Sequence, residues 1–309
     1  MINYLKLIRY RHLLLLAFMQ LIFRYGFLKL QNIPLALADW QYILLVFSTL
    51  FLAAGGSIIN AIFQQDSDSE NKPKFQVVGK FISENTAYNL YAAFTFTGVS
   101  IGFYLSNVIQ KSNFAILFIL IASTLYFYAS SMKNSILIGN IIVAFTTSIY
   151  LLLIGLFDLL PTTFEANQTV MGIHFSILFD YAVFTFIIAF LIELVSDIEN
   201  TKGDTSQGLS TLAVVIGFSK AKNTVLTLSL IPILCVVYYL KVYLFDAKLL
   251  YSFIYGLIFI VTPLIYFSIK IFKANEPKEF RHLNIILKCI LFFAYLSIFV
   301  ISLNIQNHA

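Results

Sequence analysis

The chain reads as an all-α, polytopic membrane protein, a bundle of nine transmembrane helices. Three observations predict this. Of its 309 residues, 60% are hydrophobic and only 11% charged, whereas soluble domains carry roughly 25% charged residues. The mean hydropathy is +0.86. The apolar residues also fall in long continuous runs, and about 20 such residues are what an α-helix needs to cross a hydrocarbon core. The strands of a membrane barrel would instead alternate apolar and polar positions over about 10 residues.

The runs lie at roughly 12–31, 40–63, 86–108, 113–131, 134–157, 170–195, 222–244, 248–272 and 283–304. No polar stretch between them is long enough to fold by itself, so residues 1–309 are expected to form one domain. Ahead of the first run, Lys6, Arg9 and Arg11 imitate the basic start of a signal peptide. No small-residue cleavage site follows, so a retained first helix is expected.

Basic residues set the orientation. With a cytoplasmic N-terminus, 14 of the 20 Lys and Arg residues fall on the cytoplasmic side: before the first run and after the second, fourth, sixth and eighth. Such a bias orients multi-pass proteins. It predicts an N-terminus inside, a C-terminus outside, and the plasma (inner) membrane if the source is bacterial. The net charge of +5 is scattered through short connections, which argues against nucleic acid as a partner. Cys235 and Cys289 sit in apolar runs without metal-like spacing and are expected to be buried, inert thiols. His12, His174, His282 and His308 likewise lack ligand spacing, and no catalytic role is assigned to them. Arg24 and Asp180 are charges within apolar runs, and such charges are functional hypotheses by default. The alternative for each is a structural pair or a place near an interface.

Two polar segments on the cytoplasmic side stand out. One follows the second helix and contains Asn60, Gln64, Asp66, Asp68, Glu70, Asn71, Lys72 and Pro73; the other follows the sixth and contains Glu193, Asp197, Glu199, Asn200, Lys202 and Asp204. Asn60, Gln64 and Asp68 recur at helical spacing, as do Asp197, Asn200 and Asp204, so each trio occupies one face. Carboxylates at a membrane-embedded helix end usually face a water-filled cavity or an ion. A central cavity opening at the cytoplasmic side is therefore expected. Magnesium suits such a site, because it takes one or two carboxylates and bridges to substrate phosphates.

These segments resemble the UbiA family of intramembrane prenyltransferases. That family carries an Asn-Asp-x-x-Asp-x-x-x-Asp motif after its second helix, often running into Asn-(Lys/Arg)-Pro, and a second aspartate motif after its sixth. Asn60, Asp68, Asn71, Lys72 and Pro73 match the first, and Asp197, Glu199, Gly203 and Asp204 the second. Gly208, Thr211, Leu212 and Gly217 resemble the run into the seventh helix. Residues 77–83, Tyr126 through Lys133, and Gly139 with Asn140 look closest to the geranylgeranylglycerol-phosphate geranylgeranyltransferase-like branch. The chain departs from the pattern where Ala61 and Gln64 replace motif aspartates and Asn200 stands where many relatives have Asp. Ile192 and Ser196 occupy positions often held by Arg and Lys in that branch.

The resemblance implies a transfer of an isoprenyl group from a prenyl diphosphate to a lipophilic acceptor within the membrane, through Mg2+-assisted ionisation. It implies catalytic and metal-binding roles for Asp68, Asp197 and Asp204, with Asp66 as a further metal ligand. Asn60, Lys72, Lys80, Lys133 and Lys202 become candidate diphosphate contacts, with Arg9 and Arg11 behind them. Tyr126 and Tyr128 are candidates to line the prenyl chain and shield the allylic cation with their ring faces. Two alternatives stand beside this: an isoprenoid-binding protein of the same fold without turnover, motivated by Ala61 and Gln64, and an ion-coupled transporter. Acceptor, prenyl chain length and oligomeric state are not encoded in any motif.

Overall fold

A computed structural model describes residues 2–65, 76–132, 135–206 and 208–308. The helices in chain order are α1 (Ile2–Leu7), α2 (Tyr10–Tyr25), α3 (Asp39–Phe63), α4 (Glu84–Val108), α5 (Ala115–Ser130), α6 (Ile138–Ile154), α7 (Gln168–Ser206), α8 (Leu212–Ile216), α9 (Phe218–Tyr239), α10 (Leu250–Gly256), α11 (Thr262–Lys273) and α12 (Phe280–His308). Wider π-helical turns carry α6 on to Leu159 and α9 on to Phe245, and join α10 to α11. Among the described residues the only strand-like pairing is an isolated bridge between Val78 and Ile82.

Among the described residues, eight helices are long and apolar enough to cross a membrane. The ninth expected span corresponds to α4. At 25 residues it is as long as α3, but Asn, Thr, Ser and Tyr dilute its apolar surface, and it is not among the eight. It packs closely along α3: the Ser48 hydroxyl donates to the Gly98 carbonyl at 2.6 Å, and a Cβ on Gly98 would stand 3.0 Å from the Ser48 carbonyl oxygen. Small residues at such crossings let helix backbones approach.

The largest departure from expectation is α7. The apolar run ends near residue 195, and a polar segment follows it. The helix instead continues to Ser206, 39 residues in all, about 58 Å at roughly 1.5 Å per residue. That exceeds a hydrocarbon core of about 30 Å, so the acidic end projects past the apolar layer. Gly208, at φ +67°, stops it. Its N–H donates to the Thr205 carbonyl at 3.2 Å and that of Leu209 to the Asp204 carbonyl at 2.9 Å, the paired bonds of a glycine-terminated helix end.

The alternatives left open for Arg24 and Asp180 are resolved, and the expectation for the cysteines changes. Arg24 is 1% exposed and pairs with Asp158, 0% exposed, at 3.1 Å. It also donates to the Leu37 carbonyl and lies 4.2 Å from the Tyr42 ring centroid. Asp158 falls one residue beyond the expected fifth run, so the partner was invisible. Asp180 has no part in this pair and is exposed on the side of α7. Cys235 and Cys289 are exposed rather than buried, because their faces of α9 and α12 point out of the bundle.

Candidate active site

Two helix ends carry the polar residues singled out in the sequence, and both lie at one end of the bundle. Leu7 of α1, Ile58, Ile59 and Ile62 of α3, Val77, Val78 and Ile82 of the following turn, Ala87 of α4 and Ala129 of α5 form one buried cluster. Next to Ala129 is Tyr128, and its hydroxyl feels the fields of Glu193, Asp197 and Asp204 on α7 and of Arg9 at the α1–α2 junction. The opposite end holds Arg24 and Asp158.

On α7, Asp197, Asn200 and Asp204 share a face. The Asn140 side-chain amide, in the first turn of α6, donates to Asp197 Oδ2 at 2.7 Å. Asp204 is 2% exposed, and the Thr211 hydroxyl, at the start of α8, donates to its Oδ2 at 3.4 Å. Between them the Asn200 side-chain oxygen is buried without a hydrogen-bond partner among the described residues. A buried, unsatisfied oxygen is costly unless something else binds it. On α3, Asn60 and Gln64 are both buried, and the Gln64 amide donates to the Asn60 side-chain oxygen, as their spacing leads one to expect.

Asp66, Asp68, Asn71, Lys72, Pro73 and Lys133 lie outside the described residues. Lys80 is exposed in the turn that Gly79 makes at φ +78°, with its ammonium 5.7 Å from the Phe81 ring centroid. Lys202 is exposed on α7. The two tyrosines part company: Tyr128 is near the acids, while Tyr126 packs against Phe63 and Tyr91, centroids 6.2 and 6.3 Å away. Residues two apart on a helix point to nearly opposite sides.

The structure adds partners that no motif assigned. Asn140 and Thr211 hold the carboxylates, and Asn284 of α12 donates to the Ser196 hydroxyl at 2.7 Å, leaving the Asn284 side-chain oxygen buried and unpartnered among the described residues. Asn140 and Thr211 were visible only as part of the resemblance. For Asn284 no signal existed, because α12 reaches α7 through the fold alone.

Among the described residues no three His, Cys, Asp or Glu side chains are grouped to hold a metal ion. The donors on this face of α7 include the Asp197 and Asp204 carboxylates and the Asn200 amide oxygen. All are hard oxygen donors, which fits a magnesium ion that keeps most of its waters and shares its ligands with a phosphate.

Residues 15–296 match the UbiA prenyltransferase family. A digeranylgeranylglyceryl phosphate synthase of Sulfurisphaera tokodaii is 30% identical over 169 residues, 55% of either chain. One from Methanobrevibacter smithii is 26% identical over 64% of this chain and 65% of its own length. The chain thus spans little more than half the length of the first of these relatives. Among solved structures, a UbiA homologue from Archaeoglobus fulgidus bound to DMAPP and Mg2+ superposes with a TM-score of 0.61 at 17% identity, over 97% of this chain and 99% of that one. A structure described as giving insights into digeranylgeranylglyceryl phosphate synthase in membranes superposes with a TM-score of 0.64 at 22% identity, over 97% of both chains. At these identities the superpositions establish the fold.

Proposed function

Because this multi-pass membrane chain belongs to the UbiA prenyltransferase family, we propose that it transfers a long isoprenyl group from a prenyl diphosphate to a lipophilic acceptor. One observation supports this beyond membership: Asp197 and Asp204 flank a buried Asn200 oxygen that has no hydrogen-bond partner among the described residues, on a single face of α7.

In the proposed reaction the bond between C1 of the prenyl chain and its diphosphate oxygen breaks, and an acceptor oxygen bonds to C1. Mg2+, held by Asp197, Asp204 and Asp68 with Asp66 as a further ligand, would neutralise charge on the departing diphosphate. Asn60, Lys72, Lys80, Lys133 and Lys202 are assigned to the diphosphate. Tyr128 is assigned to the developing cation, whose charge its ring face attracts; Tyr126, turned toward Phe63 and Tyr91, would support the wall behind it. Asn140 and Thr211 fix the carboxylates, so that little reorganisation accompanies ionisation. The acceptor class follows the relatives named digeranylgeranylglyceryl phosphate synthase: a lipid alcohol. The whole chain would act as one unit, with its acidic end and N-terminus cytoplasmic and its C-terminus outside.

The test is direct. Protein purified in detergent, given Mg2+ and labelled geranylgeranyl diphosphate, should release diphosphate and prenylate a glycerol-based lipid alcohol. Absence of both products across several chain lengths and acceptors would favour isoprenoid binding without turnover, the reading that Ala61 and Gln64 motivate.

A further inference from the structure

We propose that Asn284 of α12 binds the hydroxyl group of the lipid acceptor, an assignment that rests on the prenyl-transfer reading above and says where the second substrate sits. Asp197 and Asp204 are assigned to the metal and the diphosphate. The acceptor hydroxyl needs a group of its own that turns it toward C1, and the seam between α7 and α12 supplies one.

The two helices run antiparallel and touch through polar side chains along their length. The Tyr181 and Ser297 hydroxyls share a hydrogen bond of 2.6 Å, the Thr185 hydroxyl donates to that of Tyr295 at 3.3 Å, and at the acidic end the Asn284 amide donates to the Ser196 hydroxyl at 2.7 Å. The first two contacts leave no buried side-chain atom unpartnered. Asn284 differs. It is 8% exposed, and its side-chain oxygen is buried without a hydrogen-bond partner among the described residues. Such an oxygen gains most from a donor that a ligand brings to it.

Position decides which ligand this is. Ser196 and Asn200 stand on consecutive turns of α7, about 6 Å apart along its axis, and the Asn200 oxygen is likewise buried without a partner among the described residues. Asp197, next to Ser196 in sequence, points about 100° away around the helix, to the Asn140 amide of α6. Asn284 therefore approaches α7 from a different flank than the group that holds the metal-binding carboxylate. A diphosphate would bring only oxygens to these amide oxygens and be repelled, whereas a hydroxyl brings the hydrogen they lack. Asn284 also lies near the start of α12, where the apolar run of that helix begins. A lipid alcohol bound there keeps its tail beside the apolar layer while its head meets the amide.

The contact suits the attack. A hydroxyl that donates its hydrogen to the Asn284 oxygen keeps its lone pairs for C1, and the hydrogen bond fixes the direction in which they point. Asn284 neither gains nor loses a proton; it binds and orients.

The experiment uses the full chain in detergent with Mg2+ and a non-hydrolysable geranylgeranyl diphosphate analogue. It compares binding of a glycerol monoether lipid with binding of the same lipid carrying fluorine in place of each hydroxyl, which has nearly the same size and no hydrogen to donate. Wild type should bind the alcohol about tenfold more tightly. Asn284→Leu should bring the two lipids within about twofold of each other, with affinity for the diphosphate analogue held within about threefold of wild type. Asn284→Asp, which keeps an oxygen at the site, should retain the preference. In the transfer assay the KM of Asn284→Leu for the alcohol should rise about tenfold and that for geranylgeranyl diphosphate should stay within about threefold. Thermal midpoints screen each variant, and Asn284→Ala is read in place of the leucine variant if the latter does not fold. A wild type that binds both lipids equally would overturn the assignment, as would a preference undiminished in Asn284→Leu or lost in Asn284→Asp. So would a folded variant whose Mg2+ affinity falls in step, because that would put Asn284 at the metal. A wild type that fails to bind the diphosphate analogue at all would instead overturn the prenyl-transfer reading.

Discussion

The Asn140 amide donates to Asp197 Oδ2 at 2.7 Å and so ties the first turn of α6 to the carboxylate face of α7. A ligating carboxylate that is itself hydrogen-bonded is held in one orientation, and losing such a partner typically costs about 10–100-fold in metal affinity or activity. Asn140→Ala should raise the Mg2+ concentration for half-maximal product formation by about that factor, with the purified protein's melting temperature nearly unchanged. A magnesium titration of the transfer assay reads it, and an unaltered midpoint would detach Asn140 from the metal site.

The proposed metal site also predicts an asymmetry between removing acids and restoring them. Asp68→Ala or Asp204→Ala should abolish turnover, because the remaining groups would leave the diphosphate charge uncompensated. Ala61→Asp together with Gln64→Asp should tighten magnesium, since it returns two carboxylates to the α3 end. The transfer assay measures the first, and isothermal titration with Mg2+ and a non-hydrolysable prenyl diphosphate analogue the second. Full activity in either alanine variant would show the site to be misplaced.

Tyr126 and Tyr128 should differ. A cation–π contact in a desolvated site is worth up to about 2 kcal/mol, roughly a factor of 30 in rate. Tyr128→Leu should therefore lower kcat by more than about tenfold, and Tyr128→Phe much less, because the ring is kept. Tyr126→Leu should remain within about threefold of wild type, since that ring faces Phe63 and Tyr91. Steady-state kinetics of the three variants decides.

At the opposite end, Arg24 and Asp158 form an ion pair at 3.1 Å that is 1% and 0% exposed. Removing one partner strands the other charge, which costs about 3–5 kcal/mol, whereas replacing both by apolar residues is often neutral or better. Asp158→Leu or Arg24→Met alone should sharply lower the thermal midpoint in detergent, and the double variant should recover most of it. Equal loss in single and double variants would mean that the separate bonds to Leu37, from Arg24 to its carbonyl and from its N–H to Asp158, rather than the pair, are what matters.

Much was legible before any coordinates. Continuous apolar runs separated by short basic connections force helices in a bilayer, and eight of the expected spans appear as helices apolar enough to cross it. The face shared by Asp197, Asn200 and Asp204 was legible too, because helical spacing alone decides which residues stand together. Less legible was the end of α7: a polar stretch reads as a connection, and only the backbone bonds around Gly208 reveal that the helix continues through it.

Residue order by itself determined the membrane setting, the helical class and the acidic phase of α7, since these depend on local periodicity and on the cost of exposing backbone to lipid. Tertiary structure alone decided that Asn140 grips Asp197, that Arg24 finds Asp158, and that Tyr128 rather than Tyr126 approaches the acids. Each of these depends on how separate helices rotate and slide against one another. That is set by packing summed over many contacts, and no short stretch of sequence contains it.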